Sequence, residues 1–146
     1  MRKLGALAAA AAIAGVTLVA GAVPAQAAER STQCETEGYS AQGFGRYTTQ
    51  GSIQFWDDVV WSIRGGGLRN HNNTNIRLRA TPDGSHSTSH VTYFSYDSPD
   101  SLVANKAYNV PIQKFVPASE NIYLKFETFF DVAGDDPHCV MYTDYV

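Results

Sequence analysis

Beyond residue 27, apolar residues recur mainly at every second position, the period of strands whose side chains alternate between two faces. Ile76, Leu78 and Ala80 alternate with Arg77 and Arg79, which predicts a strand with its aliphatics on a core face and both guanidinium groups in solvent. Ile122, Leu124, Phe126 and Thr128 alternate in the same way with Tyr123, Lys125, Glu127 and Phe129. Val91 to Tyr96, Tyr108 to Phe115 and Cys139 to Asp144 are further strand candidates, rich in β-branched or aromatic residues and bounded by turn formers. Proline cannot donate to a ladder, so Pro111 places its strand at a sheet edge or a bulge.

The segment from Ser52 to Arg64 breaks this regularity. Ile53, Phe55, Val59, Trp61 and Ile63 share one parity, and Asp57 falls on the same face. A carboxylate in the core is disfavoured, which leaves a turn at Asp57-Asp58 between two short strands or a bulge that turns Asp57 outward. The turn is the expectation, because Asp tolerates turn backbone. Glycine, proline, Asn and Asp punctuate the rest: Gly65-Gly66-Gly67, Asn70 to Asn75, Pro82-Asp83-Gly84, Asp97 to Asp100, Pro117 to Asn121 and Gly134 to Pro137. No helix of ordinary length fits between them. Six to eight short strands predict an all-β, antiparallel two-sheet sandwich, with a small β-barrel as the alternative.

The first residues do not take part in this pattern. Arg2 and Lys3 precede an uncharged run from Leu4 to Val23, Pro24 ends it, and Ala25-Gln26-Ala27 supplies the small residues of a cleavage site. Residues 1–27 therefore read as a secretory signal peptide, and residues 28–146 as a single β-rich extracellular domain. No later segment is apolar enough to span a bilayer. Of eleven basic residues two lie in the leader, against fourteen acidic residues, so the remaining chain is acidic and nucleic acid is disfavoured as a partner.

Cys34 and Cys139 are the two cysteines of the chain. In an exported protein they are expected to pair, and closing a loop of ~100 residues contributes up to ~4.7 kcal/mol in the chain-entropy model. The alanine-rich leader and the disulfide-tied β domain look like those of exported bacterial proteins, a resemblance that transfers no functional residue.

Two segments carry candidate chemistry. Between Arg64 and Asn75 a triple glycine leads into Arg69, Asn70, His71, Asn72 and Asn73. Glycines let a ligand approach the backbone, Asn both donates and accepts, and Arg offers a planar fork for anions. Arg64, Arg69, Asn70, His71, Asn72 and Asn73 are thus the expected ligand-binding residues. The triple glycine lacks the Gly-Lys-Ser/Thr ending of a phosphate-binding loop. The second segment holds Asp131, Asp135 and Asp136 near Gly134, hard oxygen ligands that suit calcium, although the ligand order of an EF-hand is missing. No Gly-x-Ser-x-Gly elbow or His-Glu-x-x-His pair occurs. The reading that follows is a secreted, non-enzymatic recognition domain whose loops and exposed aromatics bind a carbohydrate, an anionic group or an extracellular protein. An inhibitor or toxin, and a small hydrolase using His138 or His71, are the alternatives.

Overall fold

The structure, a computed structural model, describes residues 25–86 and 89–146. Among the described residues eight strands follow one another: β1 (Gln26–Thr36), β2 (Tyr39–Gln50), β3 (Ile53–Arg64), β4 (Asn73–Thr81), β5 (Val91–Asp97), β6 (Ala107–Pro117), β7 (Asn121–Phe129) and β8 (His138–Tyr142). They form two antiparallel four-stranded sheets, in the orders β1-β2-β3-β6 and β5-β4-β7-β8. The sheets stack as a sandwich and do not close into a barrel. Of the expected leader, residues 1–24 lie outside the described residues, while Gln26 and Ala27 pair with Thr49 and Thr48 as the first rungs of β1. Among the described residues no helix is long and apolar enough to cross a membrane.

The core is built by the inward parity of each strand. Trp56, Val59, Trp61 and Ile63 from β3 face Ile76 and Leu78 from β4 and Ile122, Leu124 and Phe126 from β7, all buried. Between them β2 presents Gly43 and Gly45. A Cβ at Gly43 would lie 2.5 Å from Phe126 Cε1, and one at Gly45 would collide with Leu124 and sit 2.8 Å from Trp56 Cζ3. The two glycines therefore let large side chains of β3 and β7 pack directly on the β2 backbone.

Asp57-Asp58 does not turn the chain. β3 runs unbroken through this point, and a bulge at Asp57 in both the β2 and β6 ladders takes the place of the expected turn. The extra residue reverses the parity, so Gln54 and Trp56 point inward before it and Val59, Trp61 and Ile63 after it, while Phe55 faces out. Pairing explains the preference. Asp58, on the outer face, accepts Arg46 Nε at 2.6 Å and Asn109 Nδ2 at 2.5 Å, which a free turn would not provide. Inside, Gln54 Oε1 accepts Trp56 Nε1 at 3.1 Å. Pro111 lies on the edge strand β6 beside this bulge, as its sequence predicts.

Cys34 and Cys139 form a disulfide with Cα atoms 6.1 Å apart. It joins β1 to β8, the edge strands on one side of the sandwich. Four connections gather at one end: the β1–β2 turn and the β3–β4, β5–β6 and β7–β8 loops. Both segments singled out in the sequence therefore meet at that end.

Candidate functional site

The hub of the loop end is Asn72, which is 0 % exposed. Its Nδ2 donates to Arg69 O at 2.7 Å and to Leu102 O at 2.8 Å, and its Oδ1 accepts the Asp131 N–H at 2.8 Å. One side chain thus ties the β3–β4, β5–β6 and β7–β8 loops together and has no surface left for a ligand. Asp131 completes the knot, accepting the His71 N–H on Oδ2 at 3.0 Å and the Arg69 N–H on its carbonyl at 2.9 Å. Asn73 Nδ2 donates to Asp100 Oδ1 at 2.9 Å. Of the expected ligand-binding residues, Asn72 and Asn73 hold the loops, whereas Arg64, Arg69, Asn70 and His71 are exposed upon them.

The acidic segment is committed to backbone in the same way. Asp136 Oδ1 accepts the Val132 N–H at 3.1 Å, Asp131 caps the neighbouring loop, and Asp135 is exposed. Among the described residues no three His, Cys, Asp or Glu side chains gather as a metal site. Of the three carboxylates expected to hold calcium, Asp131 and Asp136 thus each accept a backbone amide, and Asp135 is exposed.

A surface not singled out in the sequence lies on the outer face of the β1-β2-β3-β6 sheet. Cross-strand register lays its residues in rows: Gln33, Gln42, Ser62 and Ala107, then Ser31, Phe44, Val60 and Asn109, then Glu29, Arg46, Asp58 and Pro111. Small side chains at positions 31, 62 and 107 leave room between the glutamines and the Phe44 ring. Three shallow depressions result, of about 410, 340 and 120 Å³, and Gln42 lines each of them. Ser31, Gln33 and Phe44 line the largest, and Ser62, Arg64 and Lys106 the second. Among the described residues no carboxylate lines any of the three, and the Ser62 hydroxyl is buried there without a hydrogen-bond partner.

Arg64 joins this face to the loop end, since it closes β3 and opens the β3–β4 loop. On the other side the face is bounded by the Arg46–Asp58 ion pair. The Arg46 guanidinium holds the Asp58 carboxyl below the usual carboxylate range, against the opposing effect of burial and with help from Asn109. Farther along the sheet, Phe55 and Phe115 meet at 4.8 Å between ring centroids, with Phe115 70 % exposed.

Fold and surface together describe a disulfide-tied β-sandwich with one open, polar sheet face running into a hydrogen-bonded loop end. Comparison with protein families, with curated proteins and with solved structures finds no match for this chain.

Proposed function

We propose that this chain is a secreted, non-enzymatic recognition domain that binds a carbohydrate carrying acidic groups across the outer face of the β1-β2-β3-β6 sheet. The observation that carries this reading is the set of depressions sharing Gln42, lined by amides, hydroxyls and the half-buried ring of Phe44, with Arg64 and Lys106 at one of them. Amide groups donate and accept as sugar hydroxyls require, and Phe44 offers a ring face to the apolar side of a pyranose. Arg64 and Lys106 stand at the loop end of the same face, where an acidic substituent would meet them. Secretion is part of the proposal, and the disulfide and the apolar leader support it.

A glycan array probed with the oxidised protein tests it. Retention of acidic oligosaccharides is expected, weakened about tenfold by Phe44→Ala through loss of stacking. Lys106→Gln should lower binding of acidic members while sparing neutral ones. Binding unchanged by both Phe44→Ala and Gln42→Ala would remove this face as the site.

A further inference from the structure

The outer face of the other sheet holds a buried polar cluster. Tyr123 has the outward parity of β7 yet is 0 % exposed. It is covered by His86, from the β4–β5 connection, and by Tyr142 and Tyr145 from the C-terminal region. The His86 ring stacks on Tyr142 at 4.3 Å and on Tyr145 at 4.8 Å, and meets Tyr123 edge-on at 4.7 Å. Tyr123 and Tyr145 meet edge to face at 5.5 Å, and Arg79 lies directly opposite Tyr123 in the β4–β7 ladder.

Aromatic packing accounts for the burial but leaves the polar atoms unexplained. Arg79 Nε, His86 Nε2, Tyr123 Oη and Tyr145 Oη are all buried, and none has a hydrogen-bond partner among the described residues. Leaving such an atom unmet forfeits its hydration with nothing in return, and native structures satisfy nearly all of them. Neighbouring cations on this face are already matched, Arg77 with Asp97 at 2.5 Å and Lys125 with Glu127 at 3.0 Å. No ion pair involves Arg79 among the described residues.

All four groups can donate a hydrogen bond, and one is a fixed cation. We infer that Arg79, His86, Tyr123 and Tyr145 form a binding site for one small tetrahedral oxyanion of the phosphate or sulfate class, which holds His86 and Tyr145 against the sheet. Burial, then Tyr123 and Asp83, pushes the Tyr145 phenol up, so it stays protonated and able to donate. Asp83 is a carboxylate acting on Tyr145, and its Oδ1 is already held by Thr81 Oγ1 at 2.5 Å and the Ser85 N–H at 3.1 Å.

Thermal unfolding at matched pH and ionic strength, in sodium chloride, inorganic phosphate or phenyl phosphate, tests the site. The unfolding temperature should rise saturably with inorganic phosphate, as binding to the folded state alone requires. A response to phenyl phosphate as well assigns the site to an esterified group, and a response to the inorganic ion alone assigns it to the free anion. Tyr123→Phe keeps the ring and deletes only the hydroxyl; it and Arg79→Gln should each abolish the shift, whereas Arg77→Gln should retain it. Without an anion, Tyr123→Phe removes an unmet buried group and should leave the protein as stable or more so. That result in phosphate, the absence of a saturable shift, or a shift retained by both Tyr123→Phe and Arg79→Gln would overturn the inference.

Discussion

Gly45 shows most directly how single positions set the thickness of this sandwich. Its missing side chain is occupied by Leu124 and Trp56, so Gly45→Ala must displace a buried aliphatic from one sheet or a buried indole from the other. Overpacking of this kind costs typically 1–3 kcal/mol, and the denaturant midpoint of Gly45→Ala should fall accordingly with an unchanged slope. Asp58 makes a second prediction at the same scale. Its pKa is depressed in the folded state by Arg46, so its contribution is complete above the ordinary carboxylate pKa of about 4 and is lost as pH falls through the lower folded value. Melting temperatures recorded from pH 7 to pH 2 should therefore drop less steeply at the acid end for Asp58→Asn than for the parent. An equally steep acid limb in both would mean that the ion pair does not hold the bulge.

At the scale of elements, the disulfide joins two edge strands that share no ladder. Its removal by Cys34→Ser with Cys139→Ser should lower unfolding free energy by about 4–5 kcal/mol in the chain-entropy account, measurable by chemical denaturation. How far the elements could be read from the sequence depended on what faced inward. β4 and β7 were legible because aliphatics fill their core parity. β1 and β2 were not, because their inward positions include Thr32, Gly43 and Gly45, which carry no apolar alternation. Their turn was signalled only by Glu37-Gly38, whose φ values of 51° and 83° suit a two-residue hairpin. In β3 the misfit of Asp57 on an apolar parity was visible, but the reversal that turns Phe55 outward and Trp56 inward was not, and choosing bulge over turn required knowing that Arg46 and Asn109 lie alongside Asp58. The open sheet face stayed hidden for the same reason: Gln33, Gln42 and Ser62 are neighbours only once β1, β2 and β3 are paired in register. The loop segment was recognisable by composition, yet which of its residues are structural was not. The burial of Asn72 depends on carbonyls and amides contributed by three different loops.

For the molecule as a whole, the two sheets have different outer faces. One is open and polar, with Gln42 at the centre of its depressions; the other is closed by ion pairs and by the ring of tyrosines around His86. In the proposed function, a scaffold with one open face and hydrogen-bonded loops would bind a ligand at little entropic cost. The most direct test follows backbone amide shifts of the disulfide-bonded protein by NMR while a sulfated hexasaccharide, or neutral maltohexaose as control, is added. Saturable shifts for the sulfated probe, centred on Gln33, Gln42, Phe44, Ser62 and Arg64, are the predicted result. Saturable shifts centred on the Phe55–Phe115 pair or on the second sheet, with Gln33, Gln42, Phe44, Ser62 and Arg64 unmoved, would contradict it.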